Sequence, residues 1–233
     1  MMLGTDFALF RDRHEAGKLL AKQLTHYEGA KDAIVIALPR GGVVVGYDVS
    51  LALTLPLDVL ITRKLGTPSN PELAMGAIAE TGYVHMNSDV MREYHITHAQ
   101  LEKEIEAQKH EIHRRIQRYR EGRALASLKS KTVILVDDGI ATGATFLASL
   151  GAITKEKTTR VVAAVPVAPP RMVEQLKGLV DEVVVLYSPE WFFGVGQFYE
   201  QFPQVEDEEV VASLENVRTF LSKAKKVQRK EVP

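Results

Sequence analysis

The 233-residue sequence contains no cysteine. Disulfides, thiolate nucleophiles and cysteine-based zinc sites are therefore excluded. Tryptophan occurs once, and aromatic residues make up only 7% of the chain, so a local cluster of rings carries information. An excess of charge is also missing: 29 Lys and Arg against 30 Asp and Glu leave a formal net charge of -1. That balance gives no ground for bulk binding to nucleic acid or an anionic membrane. No apolar run approaches the ~18 residues of a membrane span. Residues 1–6 lack the basic and apolar regions of a signal peptide, so a soluble cytoplasmic protein is expected. Repeats of solenoid period and low-complexity segments are absent as well. So are the lysine-containing phosphate loop, a full dinucleotide-binding glycine motif (Gly194-Val195-Gly196 lacks the third glycine) and a Gly-x-Ser-x-Gly elbow. Generic nucleotide-binding and hydrolytic α/β classes are weakened accordingly.

What is present is centred on residues 132–146. Val133, Ile134, Leu135 and Val136 form a continuous apolar run, as in a strand buried on both faces of a parallel sheet. Asp137 and Asp138 stand where that strand ends. A small-residue turn follows, and residues 146–150 read as a helix. Ligands of open parallel sheets bind beyond the carboxyl ends of strands. Free N–H groups at the helix start favour a phosphate there. Thr142 and Thr145 add hydroxyls, while Gly143 and Ala144 permit close approach. An acidic pair beside an anion cradle suits a ligand with a phosphate, neighbouring sugar hydroxyls and an accompanying metal. Mere turn chemistry at Asp137, Asp138 and Gly139 is the plainer alternative.

Upstream, residues 33–38 form another apolar strand ending in Pro39-Arg40-Gly41-Gly42, with an apolar helix over 43–53. Backbone N–H groups beside Arg40 make a diphosphate site, because guanidinium grips phosphate oxygens bidentately. A tight turn requiring glycine is the competing reading. Residues 57–62 read as a second strand delivering Arg63 and Lys64, and 65–72 as an irregular, lid-like segment. A short hairpin is expected around Glu80-Thr81-Gly82, and a short helix over 90–95. Thr97 to Gln100 reads as a capping box opening a helix to about Glu121, ended by Gly122. On it, His110 and His113 are three apart; a polar face is expected over a metal site. Lys109, Arg114, Arg115, Arg118 and Arg120 form a basic face, expected to be solvated or to contact a subunit. Strands at 160–167 and 181–187 flank a helix begun by Pro169 and Pro170. Residues 188–199 hold the sole tryptophan and several other rings, which either stack on a planar ligand or cap the core or a dimer interface. A first helix over 11–21, with a solvated His14, a last helix from 206 and a basic, frayed tail over 223–230 complete the chain.

The stretch from Val133 to Thr145 resembles the signature by which type I phosphoribosyltransferases bind 5-phosphoribosyl 1-diphosphate (PRPP), with Ala141 where the family often has Thr or Ser. Pro39-Arg40-Gly41-Gly42, Arg63-Lys64-Leu65-Gly66 and Val195-Gly196-Gln197 together resemble a phosphoribosyltransferase-like group of bacteria and archaea. The resemblance implies an α/β, Rossmann-like fold: a parallel sheet of about five strands, helices on both faces and a small hood. Residues 1–233 would be one domain, with its core over about 30–187 and the hood and last helix over about 188–223. Asp137 and Asp138 would be the catalytic pair, holding the ribose hydroxyls and lying near Mg²⁺, directly or through those hydroxyls or water. Ala141, Thr142, Gly143, Ala144 and Thr145 would cradle the 5-phosphate. Arg40, Gly41, Gly42, Arg63 and Lys64 would meet the diphosphate. Trp191, Phe192 or Phe193 would stack on a base, as in hypoxanthine-type relatives. The implied activity is transfer of the phosphoribosyl group to a nitrogen of a nucleobase-like acceptor by a homodimer, in nucleotide salvage. A non-catalytic PRPP sensor of the same fold is the alternative.

Overall fold

The computed structural model describes residues 9–228. The expectation for residues 1–6 lies outside them, as does the end of the basic tail, whereas residues 223–228, expected to fray, continue the last helix. In chain order the elements are α1 (Arg13–Gln23), β1 (Ala33–Ala37), α2 (Gly41–Leu53), β2 (Leu57–Val59), β3 (Thr62–Gly66), β4 (Ala74–Ala79), β5 (Val84–Met86), α3 (Ser88–Glu93), α4 (His98–Arg120), β6 (Thr132–Val136), α5 (Ala144–Thr154), β7 (Arg160–Val167), α6 (Pro170–Lys177), β8 (Glu182–Tyr187) and α7 (Asp207–Gln228). β2-β1-β6-β7-β8 make a five-stranded sheet with every pairing parallel. β3-β4-β5 make a separate antiparallel flap. No helix among the described residues is long and apolar enough to cross a membrane.

The sheet explains the unbroken apolar runs. Successive side chains on a strand point to opposite faces, so a strand covered on both sides must be apolar at every position. Val35, Ile134, Val136 and Val162 pack on one face with Leu20 of α1, Val45 and Val49 of α2, and Leu214 and Val217 of α7. Ile36, Val133, Leu135 and Val165 pack on the other with Phe146 and Leu150 of α5 and Met172 of α6. Helices thus cover both faces.

Three sequence expectations are altered. Residues 57–62 are not one strand. β2 ends at Val59, and Leu60 and Ile61 carry the chain into the flap, where β3 begins at Thr62. The cause is a change of partner: Leu60 N–H donates to Ala37 O of the main sheet, whereas Ile61 O accepts from Glu80 N–H of the flap. The lid-like segment is likewise shorter than expected, since Leu65 and Gly66 belong to β3 and pair with β4. The basic face of α4 is divided: Lys109, Arg114 and Arg118 are exposed, as a solvated face would be, whereas Arg115 and Arg120 are buried, and several of the five are paired. Arg114 donates to Asp207 at 2.9 Å, Arg118 reaches Glu208, and the Tyr119 hydroxyl reaches Asp207 at 2.5 Å. Those acids open α7, where the helix dipole favours them too. The Thr97 capping box does form, with Gln100 Oε1 accepting Thr97 N–H at 2.9 Å. At the far end Glu121 already turns left-handed (φ 54°), one residue before Gly122.

The end of α4 is fixed by a buried ion pair. Arg120 is 1% exposed and meets Glu80, whose other oxygen accepts Ile61 N–H at 2.8 Å. One carboxylate thus ties α4 to the point where the chain changes sheets. Glu80→Ala is expected to lower the unfolding free energy by about 3–5 kcal/mol, as when a buried charge loses its partner. The double variant E80L/R120M should recover much of that loss in denaturant titrations. Equal losses in both variants would assign the effect to packing instead.

Candidate active site

β1 and β6 are neighbours in register, Ala37 beside Val136. The segments that follow them therefore leave the sheet side by side at its carboxyl edge. Leu38 N–H donates to Val136 O at 2.9 Å and keeps the two chains together one residue further. Beyond it the Pro39–Arg40 peptide bond is cis, and α2 starts at Gly41. A Cβ on Gly41 would overlap the Asp138 carboxylate, and one on Gly42 would lie 2.8 Å from both Cα and Oδ1 of Asp137. Only residues without a side chain let the first loop sit against the acidic pair.

The pair itself is half-buried and held from several sides. Asp137 Oδ1 accepts the Asp138 N–H at 2.9 Å. Asp138 Oδ2 accepts from Arg13 Nε at 2.8 Å, and Asp138 O accepts from the Tyr199 hydroxyl at 2.6 Å. Burial raises the Asp137 carboxyl well above the ordinary carboxylate range, and the adjacent Asp138 charge adds to it. Asp138 is also raised by burial, with Arg13 opposing the rise.

The turn after the pair is pinned by Ile140 N–H donating to Val167 O at 2.9 Å. Ala141 and Thr142 are exposed, Ala144 and Thr145 half-buried. Gly143 is the N-cap of α5 with φ 82°, and no side chain caps that helix. Its first N–H groups thus have no side-chain acceptor, which is the condition for anion binding at a helix start.

The other expected residues are distributed unevenly. Arg40 Nη1 lies 3.4 Å from Glu206 Oε2 and 3.9 Å from Asp207 Oδ1. Arg63 and Lys64 are adjacent on β3 and bond on different sides. Arg63 Nε donates to Gln108 Oε1 of α4 at 2.9 Å, and burial lowers its pKa. Lys64 Nζ donates to Glu72 Oε2 at 2.9 Å and lines a cleft of about 640 Å³ that also reaches Thr142, Ala144 and Arg171. The structure thus brings Lys64, but not Arg63, to the side of the cradle. Trp191 and Phe193 are 73% and 89% exposed, while Phe192 packs 4.9 Å from Phe198. The loop carrying them is held by the Gln197 side chain, which accepts from Phe193 and Gly194 N–H and donates to Trp191 O. Val195 of the same segment rests against Gly139.

Sequence reasoning missed Arg13, Tyr199 and Phe202. Arg13 sits in a charged helix start that gave no chemical signal, 125 positions before its partner Asp138. His14 beside it is half-exposed, as a solvated residue would be, yet bonds Asp48 Oδ2 at 2.7 Å. His110 and His113 are exposed. Among the described residues no group of three or more His, Cys, Asp or Glu could hold a metal.

The profile of the family described as "Phosphoribosyl transferase domain" matches residues 12–203. The proposed phosphoribosyl transferases MT0597 and Rv0571c, from two strains of Mycobacterium tuberculosis, are each 44% identical over 216 residues. Those alignments take in 93% of this chain and 48% of each relative, so the chain spans about half the length of these curated relatives. The crystal structure of TT1426 from Thermus thermophilus is 44% identical, with a TM-score of 0.74 over 89% of this chain and 98% of that one.

The raised Asp137 carboxyl has a sign that can be tested. A carboxyl whose pKa rises on folding favours the folded state while protonated, and this contribution is lost as pH climbs through the raised pKa. Ligand-free stability should therefore fall, on account of Asp137, from the ordinary carboxylate range upward. Asp137→Asn keeps an acceptor for the Asp138 N–H. It is expected to raise the melting temperature at neutral pH and to flatten that pH dependence. An unchanged or lower melting temperature at neutral pH would count against it.

Proposed function

This chain belongs to the phosphoribosyl transferase domain family, and from that premise we propose that it transfers the 5-phosphoribosyl group of PRPP to a nitrogen of a nucleobase-like acceptor. One observation carries the reading. The glycines of the loop after β1 lie directly against the two carboxylates after β6, beside the uncapped start of α5. A diphosphate, a ribose and a 5-phosphate of one molecule can then be met together.

In this reading the C1–O bond to diphosphate breaks, an acceptor nitrogen bonds to C1 from the opposite face, and the acceptor gives up a proton. Bond breaking runs ahead of bond making, so positive charge develops on the ribosyl group. The work of the protein is positioning and electrostatics. Asp137 and Asp138 take the ribose hydroxyls and place negative charge near that cation. The first N–H groups of α5, with Ala141 to Thr145, hold the 5-phosphate. Arg40, Gly41 and Gly42 hold the diphosphate, helped by Lys64 from the flap; Arg63 supports α4 at the foot of the same strand. The exposed rings Trp191 and Phe193 are available to a planar acceptor, and a purine is favoured.

Two adjacent carboxylates, with no third acidic or histidine ligand grouped with them among the described residues, suit Mg²⁺ better than a tightly caged metal, because Mg²⁺ keeps waters and shares substrate oxygens. Asp137 and Asp138 would hold it, directly or through water, and when bound it would neutralise charge on the leaving diphosphate. The same reading takes residues 1–233 as one domain with its hood at 188–223, and the working form as a cytoplasmic homodimer in nucleotide salvage.

The test is diphosphate release from Mg²⁺-PRPP across a panel of nucleobases and related acceptors. Release that depends on one acceptor is expected and names the substrate. Silence in protein that binds PRPP would favour a non-catalytic sensor, and failure to bind PRPP would reject both readings. Asp138→Asn is expected to lower kcat by about 10²-fold or more, a larger effect than on 5-phosphate binding. Equal kcat in variant and parent would remove Asp138 from the catalytic pair.

A further inference from the structure

We propose that Arg13 is a positioning residue for this reaction: it locks the Asp138 carboxylate against the loop after β1, and it makes that lock depend on the segment 199–203. The inference rests on the reading of Asp138 given above. Arg13 is the first residue of α1, and its side chain is 9% exposed. Its Nε donates to Asp138 Oδ2 at 2.8 Å, and its Nη1 donates to Pro203 O at 2.8 Å. The guanidinium lies 3.6 Å from the centre of the Phe202 ring. A Cβ on Gly41 would come within 2.9 Å of Arg13 Nε while overlapping Asp138. Three segments distant in sequence therefore converge on one planar cation.

Each contact removes a freedom. The donors of a guanidinium are fixed in one plane, so anchoring Nη1 on a backbone carbonyl sets the direction of Nε. The Phe202 ring below that plane holds it flat through a cation–π contact. The Asp138 carboxylate is then held by Arg13, while its backbone carbonyl is held by Tyr199. Both restraints lead to the same five residues, which follow the aromatic loop. The ribose-facing acid and the acceptor-facing segment therefore form one unit, although they belong to different elements. A lysine could keep the charge toward Asp138 but has no fork with which to hold Pro203 as well.

The test measures PRPP affinity by titration calorimetry, with Mg²⁺, well below the melting temperature of each variant. Arg13→Met is expected to weaken PRPP binding by about ten- to a hundredfold, the scale of one lost charge-assisted hydrogen bond. Arg13→Lys should recover part of that loss. Phe202→Leu, which leaves every charge in place, should weaken binding in the same direction by a smaller factor. Unchanged affinity in Arg13→Met, or Lys and Met variants impaired equally and in step with lost thermal stability, would overturn the assignment. Unchanged affinity in Phe202→Leu would overturn its dependence on segment 199–203. If the unaltered protein does not bind PRPP, the functional reading beneath the assignment fails, and the assignment fails with it.

Discussion

The in-register pairing of β1 with β6 is the constraint on which the rest of the site depends. Five consecutive residue pairs, Ala33 with Thr132 through Ala37 with Val136, bring two loops out at one level of the sheet. Apolar parallel strands such as β1 and β6 need cover on both faces, so α1, α2 and α7 on one side and α5 and α6 on the other are part of the same requirement. A slip of one residue would turn every buried valine and isoleucine toward the wrong layer. It would also pull Gly41 away from Asp138. Packing energy and site geometry are therefore set by the same register.

Burial of the acidic pair follows from that placement and has to be compensated locally. Two adjacent carboxylates at the end of a covered strand lose hydration and repel one another. Arg13 and the Asp138 N–H oppose the cost at 2.8 Å and 2.9 Å. Compensation is incomplete, since both carboxyls remain raised. Carboxyls raised by burial and a like-charged neighbour are concentrated at functional sites. The flap is organised differently. It contributes Lys64 toward the cradle and ties Arg63 to Gln108 of α4. One strand thus serves the cleft and braces the long helix.

How much of this could be read from the sequence depends on how local each signal is. The run from Val133 to Thr145 announced a strand, an acidic pair and a small-residue helix start, because all three are consecutive. Arg40, Gly41 and Gly42 were legible for the same reason. The capping box at Thr97 and Gln100 is a three-residue rule, and it held. The fold class was legible from unbroken apolar strands alternating with helical segments. What was illegible depends on contacts distant in sequence. The apolar stretch at 57–62 carries no mark of the partner change between Leu60 and Ile61. The arginines of α4 could be read as a partly solvated face, but the tie of Arg114 and Arg118 to the start of α7 could not, because Asp207 and Glu208 lie about 90 positions away. Arg13 could not be singled out at all, for nothing in a helix start says that its side chain turns toward a carboxylate at the other end of a sheet. The aromatic loop was visible as a cluster, but only coordinates separate the packed Phe192 from the outward Trp191 and Phe193.

The contact of Arg40 with Glu206 and Asp207 has a consequence for how the loop after β1 meets an anion. The guanidinium is not a bare charge, because carboxylates at the start of α7 already stand within 3.4 Å and 3.9 Å of it. Asp207 is held in turn by Arg114 and Tyr119, whereas Glu206 is mostly exposed. Any anion received by Arg40 enters by counter-ion exchange, against a resident partner attached to the same chain. Its affinity is then the difference between two pairings, and dissolved salt screens both of them. In the proposed function, an ion leaving the loop would be replaced by a tethered carboxylate at high local concentration, which would make departure as much a property of α7 as of the loop itself.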